Sequence, residues 1–355
     1  MSITRRDFIK RIFCGSAGLA IGFPARQIDR SIKPLPSSPS TVYFRTGSDR
    51  QQLIYNTLLP LEDTVRSTLG NRQIIIKPNF VVSGKPLCAT HVEAVQGILD
   101  FLKRITEQKI IIAESPASGD AMRCFDQYGY KPLEKEYNVQ LVDLNAEPTI
   151  EIGNIVQSDG SLTRVRLIKT LLEKKNYVIS VSLPKTHDTV VATLTTKNII
   201  MASPLRPGRR EMSDKVKMHG GQILPQYSEY LTKNMFLIAP LLLPDLAVLD
   251  GFEGMEGNGP VRGSAVHHRV AVVGTDSIAV DAIGLKLMGI EPRYLQYLKW
   301  CGDAGLGNFD EKQINVVGAD VSKFVKKYKL HDTFETQIEW IKKMSNDGPP
   351  SPVTF

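Results

Sequence analysis

Cysteine is scarce in this chain and badly spaced for metal or disulfide chemistry. Its 355 residues hold four, at 14, 88, 124 and 301, with no CxxC pair among them. That spacing gives no support to an iron–sulfur cluster or a structural zinc. If Cys14 leaves with an N-terminal signal, an odd number remains, which cannot all pair, so buried unpaired thiols are expected. The six histidines form neither HxH nor HxxxH, so no preformed histidine metal site is indicated. A clustered basic stripe with interleaved aromatics is also missing, which argues against nucleic acid as a partner. No apolar run is long enough to cross a bilayer, so no transmembrane anchor is expected in the mature protein. FLIAPLLL at 236–243 is short and proline-interrupted, and reads as core. There is no internal repeat, and no GxGxxG leads into a helix to form a dinucleotide loop.

What is present begins at the N-terminus. Thr4-Arg5-Arg6-Asp7-Phe8-Ile9-Lys10 precedes the small and apolar run IFCGSAGLAIGF and then Pro24-Ala25-Arg26. The segment resembles a twin-arginine export signal, with paired arginines, a following aromatic and a weakly hydrophobic stretch too short to span a bilayer. Cys14 lies too early in that stretch for a lipoprotein anchor. The expectation is export through the twin-arginine translocase to the periplasm or the extracellular space. This route carries folded proteins, often around a cofactor. Residues 1–25 supply +3 of the formal net charge of +7, so the remainder is only weakly basic. The excess fits solvated surface or local charge beside an anionic ligand.

Residues 26–45 are rich in Ser and Pro and read as a linker; 46–320 as an α/β domain; 321–355 as a last helix and tail. Within the domain, short β-branched runs (RQIIIKP, KIIIAESP, VQLVDLN, YVISVSLP, DLAVLD, HRVAVVG) alternate with amphipathic helices such as HVEAVQGILDFLKRIT. That alternation predicts a mostly parallel sheet with helices on both faces and a cleft at the strand carboxyl ends. Residues 189–201 read as a helix carrying Thr189, Thr193, Thr196 and Lys197 on one stripe. Loop 202–222 is polar and long enough to act as a lid. VLDGFEGMEGNGPVRG, 248–263, reads as a strand end followed by an ordered series of glycine turns.

Polar residues recur at the strand ends: Lys77 and Asn79, Glu114, Lys185 with His187, and Asp250. If those four strands are neighbours, the residues converge on one cleft. His187 or His219 would serve as general base there, and Asp281, mid-helix among apolar residues, must have a partner.

The motifs IIIKPNF, ESP, SLPKTH, TLTTKN, LDGFEGMEGNGPVRG and GTDSIAVDAIGLKLMGI, in that order over about 73–318, resemble the domain of unknown function 362 family. The resemblance implies kinship and architecture; the family has no general activity. Some bacterial and archaeal members carry a ferredoxin-like segment with two cysteine clusters, absent here, so an iron–sulfur cofactor is not carried over. The family-like polar positions are Lys77, Asn79, His91, Glu114 (where Asp is commoner), Lys185, His187, Lys197, Asn198, His219, Asp250, Glu256, Asn258, Asp276 and Asp281. The leading reading is an exported enzyme acting on a small phosphate- or carboxylate-bearing molecule. His187, Lys185, Asp250 and His219 would be catalytic, and Lys77, Asn79, Glu114, Lys197, Asn198 and Asp281 would bind ligand. Asp250 and Glu256 leave room for a divalent metal. A non-catalytic exported binding protein, and a redox or maturation partner lacking its own cluster, stand as alternatives.

Overall fold

Isoleucine and valine runs build the sheet, because β-branched side chains pack well on a pleated surface covered on both sides. The computed structural model describes residues 39–207, 211–223 and 228–350, the side chain of Asn154 excepted. The twin-arginine segment expected at 1–25, and 26–38 of the expected linker, lie outside the described residues. The chain opens with β1 (Ser40–Thr46), α1 (Arg50–Leu58), α2 (Glu62–Leu69) and β2 (Gln73–Lys77). Next come α3 (Val92–Leu102), β3 (Ile110–Glu114), α4 (Ala121–Gln127), the short α5 (Leu133–Glu136) and β4 (Val139–Asp143). A separate hairpin, β5 (Thr149–Val156) with β6 (Leu162–Ile168), precedes β7 (Asn176–Ser182), β8 (Lys185–His187) and β9 (Val191–Thr193). After α6 (Thr195–Ile200), α7 (Asp214–Met218) and α8 (Ser228–Leu242) come the long strands β10 (Leu246–Asn258) and β11 (Arg262–Gly274). α9 (Ser277–Leu287), α10 (Gln296–Asp303), β12 (Ile314–Gly318) and α11 (Phe334–Asp347) complete the order.

The main sheet runs β12-β1-β11-β10-β7-β2-β3-β4, with β8 beside β10 and β9 on β8. Along that main order every pairing is parallel except the two made by β11. Helices cover both faces: Ile74 and Ile76 pack with residues of α1 to α3, and Ile75 packs with residues of α8 to α10. This is the expected α/β architecture. From β2 the chain steps outward through β3 to β4, then returns to place β7 on the other side of β2. Strand order therefore reverses between β2 and β7, the position where open α/β sheets bind ligands beyond their carboxyl ends.

Three local expectations are corrected. Residues 40–45 are not linker: they form β1, hydrogen-bonded between β11 and β12. Residues 189–201 are not one helix but β9 followed by α6, with Thr189, Val190, Leu194 and Met201 outside both elements. The stretch is buried nearly throughout, so its threonines face the interior and not the solvent side of a helical period. The glycine-rich stretch 248–263 is a hairpin, β10 running through Asn258 and β11 starting at Arg262, with a register shift between Gly251 and Glu253. Its glycines answer to geometry at the tip. Gly257 has φ of 73°, and a Cβ on Gly259 would overlap the Thr186 carbonyl oxygen. The last helix packs into the body, with Ile341 and Met344 in the core.

Candidate functional site

Sheet register decides which strand-end side chains meet. Lys77 is level with Ser180, and Ser180 with Ala247, so these three share the face that carries α6. Strand residues alternate, so Asp250 points to the opposite face.

On the α6 face a buried polar network joins three neighbouring strand ends. Lys77 Nζ lies 2.8 Å from Glu114 Oε1 and donates to Asn198 Oδ1 at 2.6 Å. Glu114 also accepts from the Phe80 and Ser115 backbone amides at 2.6 and 2.7 Å. Asn79 Nδ2 donates to the same Asn198 oxygen at 2.9 Å, while Asn79 Oδ1 accepts from Lys185 Nζ. Lys185 Nζ donates further to the Cys88 carbonyl at 3.1 Å. Asn198 in turn donates to Ser180 Oγ and to the Lys77 and Val181 carbonyls. Burial holds Lys77 below the usual lysine range, with Glu114 opposing the shift, and pushes Lys185 down to about 7.

Beside this network stands a second group. Lys197 Nζ and His187 Nε2 are 3.1 Å apart. His187 Nδ1 lies 3.0 Å from Asp188 Oδ1 and 3.0 Å from the Thr189 backbone amide. Two tautomers fit these contacts. In one, Nδ1 accepts from Thr189 and Nε2–H donates to an uncharged Lys197 amine. In the other, Nδ1–H donates to Asp188 and Nε2 accepts from Lys197. Burial, then the Lys197 charge, push His187 down to about 4. Burial pushes Lys197 down to about 8, against the pull of Asp188. Burial opposes ionisation of Asp188 too, but His187 and the hydrogen bonds outweigh it and hold its carboxyl well below the usual range.

These groups border a cavity of about 190 Å³. The stretch expected as loop 202–222 includes α7, and Arg206, Ser213, Lys215, Val216 and His219 from it roof the cavity, with Pro260 at the hairpin tip completing the wall. Lys215 donates to the Ser115 carbonyl and is pushed down to about 7 by burial, with Glu114 opposing. His219 is pushed down to about 3 by burial and by Lys197. Its Nδ1 and the Thr193 hydroxyl are buried without a hydrogen-bond partner. Lys77, Lys197, Lys215, Arg206, His187 and His219 all line the cavity, and among the described residues no acidic side chain does.

The remaining sequence candidates sit elsewhere. Asp250 is buried against Arg50 at 3.4 Å, accepts from the Phe252 amide at 3.1 Å and is pushed up to about 6 by burial, with Arg50 opposing. Glu256 accepts from the Lys329 amide at 2.9 Å. The two are held by separate partners and do not form a donor set for a divalent ion. Among the described residues no group of three or more His, Cys, Asp or Glu is placed to hold one. Asp281 lies under the site: it accepts from the Thr195 amide (2.8 Å), the Thr195 hydroxyl (2.5 Å) and the Thr196 amide (2.8 Å). It thus fixes the start of α6, which carries Lys197 and Asn198, and burial pushes it up to about 6. His91 caps α3 through Nδ1, Asn258 pairs with Asp332, and Asp276 caps α9. Sequence reasoning missed Lys215, Arg206 and Asp188. Asp188 adjoins His187 in the chain, a signal in plain sight; Arg206 opens the basic run of the stretch expected as a lid, and Lys215 lies on the short α7 within that stretch, where a helix was not expected.

Comparison with known proteins adds the following. The family model described as Domain of unknown function (DUF362) matches residues 74–286. A thylakoid-associated protein of Synechocystis sp. is 25% identical over 225 residues, covering 63% of this chain and 64% of the relative, so the chain spans just under two thirds of that relative's length. A Thermotoga maritima protein of known crystal structure matches with a TM-score of 0.33 and 11% identity, over 78% of this chain and 62% of that one.

Proposed function

The chain belongs to the DUF362 family, and from that premise and its acid-free, cation-lined cavity we propose an enzyme that acts on a small, multiply charged anion. One observation carries the reading: six cationic or imidazole side chains line one pocket, and among the described residues no carboxylate lines it. Buried lysines normally have a paired charge, because desolvating an ammonium without one is costly. Among the described residues, only Lys77 of the cavity lysines has a carboxylate in ion-pair contact. A phosphate or carboxylate group supplies the missing charge to Lys197, Lys215 and Arg206.

Size narrows the class. A cavity of about 190 Å³ holds roughly six waters at ~30 Å³ each and falls below the ~300 Å³ lower bound for drug-sized ligands. A substrate of a few carbons fits this space. His187, within reach of Lys197 and oriented by Asp188, is the proton-transfer group.

Calorimetry with inorganic phosphate and with malonate tests the anion site. We expect saturable binding that Lys215→Met weakens by ~10-fold or more, as loss of a charged hydrogen bond costs ~1.5–3 kcal/mol. No binding of either anion at millimolar concentration would falsify the reading. Anion binding with no turnover of any small phosphate or carboxylate, and no effect of His187→Gln on chemistry, would leave a binding protein instead.

We also propose that the segment around Arg5 and Arg6 directs twin-arginine export, on the strength of its paired arginines and short apolar stretch. Replacing both arginines with lysine in the native host should trap the folded precursor in the cytoplasm. Undiminished export of that variant would remove the proposal.

A further inference from the structure

Lys197 differs from the other lysines buried in and beside the cavity in the company its amine keeps. Lys77 is tied to Glu114 and Asn198, Lys185 to Asn79 and the Cys88 carbonyl, and Lys215 to the Ser115 carbonyl. Lys197 Nζ has an imidazole nitrogen at 3.1 Å, and among the described residues no carboxylate lies in ion-pair contact with it. That imidazole is in turn held by Asp188 at 3.0 Å, and Asp188 by the Thr189 hydroxyl at 2.8 Å. A nucleophile within hydrogen-bond reach of a base, with the base oriented by a third group, is the arrangement that activates side-chain nucleophiles. Two buried polar atoms of cavity-lining residues, His219 Nδ1 and Thr193 Oγ1, have no hydrogen-bond partner among the described residues.

The geometry points to Lys197 as an amine nucleophile that forms an imine with a small carbonyl compound bearing an anionic group, a 2-oxo acid being the simplest. This inference rests on the anion-binding reading above, since Lys215 and Arg206 are the groups left to hold the substrate's charge when Lys197 is the nucleophile. The uncharged amine attacks the carbonyl carbon: a C–N bond forms, and the carbonyl π pair moves onto oxygen. His187 Nε2 takes a proton from nitrogen and returns it to that oxygen. His187 Nε2 then carries the remaining N–H proton to the hydroxyl, which leaves as water while the nitrogen lone pair closes the C=N bond, so amine and carbonyl give imine and one water, with no oxidant or reductant. Burial among other cations keeps a fraction of Lys197 uncharged near neutral pH, and the residue's 8% exposure leaves it reachable from the cavity.

The test is reductive trapping. The folded protein is incubated with pyruvate and sodium cyanoborohydride, digested, and mapped by mass spectrometry, while phosphate binding is measured on the same preparation. We expect the reduced pyruvyl adduct on Lys197, competition by phosphate, no adduct at that position in Lys197→Arg, and trapping slowed ~10²-fold in His187→Gln. Mapping of the unmodified protein decides the matter even if a variant folds poorly. An adduct on Lys215 or on exposed lysines with Lys197 untouched overturns the inference. So does the absence of any adduct in protein that binds phosphate, which leaves the anion site standing. Absence of both adduct and phosphate binding removes the anion reading and the imine with it.

Discussion

Glu114 is the carboxylate on which the buried lysines most depend. It neutralises Lys77 at 2.8 Å and accepts two backbone amides. Glu114→Gln keeps the shape but leaves Lys77 buried without a counter-charge. Removing one partner of a buried pair costs ~3–5 kcal/mol, and a urea unfolding series should show a loss of that order. The lysines also set a pH dependence. Lys185, Lys197 and Lys215 sit at about 7, 8 and 7 in the folded chain, against an ordinary value of 10.5. Between pH ~7 and ~10.5 the unfolded chain therefore binds more protons than the folded one, so stability of the ligand-free protein rises with pH across that window. It is lost as pH falls through the folded values. The thermal midpoint should be higher at pH 9 than at pH 7. Saturating phosphate favours the protonated lysines, so it should narrow that gap, and phosphate affinity should fall as pH rises past 8.

At the scale of elements, α6 owes its position to a residue that never meets the cavity. Six residues make too short a helix to stand alone, and Asp281 on α9 satisfies the free amides at its start. Asp281→Asn loses part of that acceptor set. It should cost ~1–3 kcal/mol in urea unfolding and weaken phosphate binding through displacement of Lys197 and Asn198. The β8–β9 turn is held from the other side. Val191 has φ of 62°, an unfavourable conformation for a β-branched residue that costs ~1–3 kcal/mol where it persists. Its amide donates to Gln337 Oε1 at 2.7 Å, and Gln337 Nε2 donates to the His187 carbonyl at 3.0 Å. A helix distant in sequence thus braces the residue that orients the Lys197 amine.

On the scale of the whole molecule, that brace makes α11 part of the site. Deleting residues 334–355 removes Gln337 together with the core residues Ile341 and Met344. Phosphate binding in calorimetry should disappear, and the thermal midpoint should fall, whereas Gln337→Ala alone should weaken the site with a smaller stability loss. Intact binding in the deletion protein would show that the turn supports itself.

Much of this was readable in the chain. Apolar runs ending in Lys77, Glu114 and the Lys185–His187 pair identify strands and their polar ends, because burial on both faces demands β-branched residues until the sheet stops. Strand–helix alternation identifies the α/β class for the same reason. The faces were not readable. Alternation shows that Asp250 opposes Leu249 within its own strand, but it does not say which parity matches Lys77 two strands away. That depends on register across β7, which arises from long-range hydrogen bonding between strands whose paired residues lie 67 and 103 positions apart in the chain. Lys215 was hidden for a related reason, since a helix of five residues shows too little periodicity to reveal its buried side before the sheet beneath it is in place. The sequence by itself determined the architecture and the kinds of charge available. Tertiary structure decided that the glycine-rich hairpin contributes its tip, Pro260, to the cavity while Asp250 turns away from it.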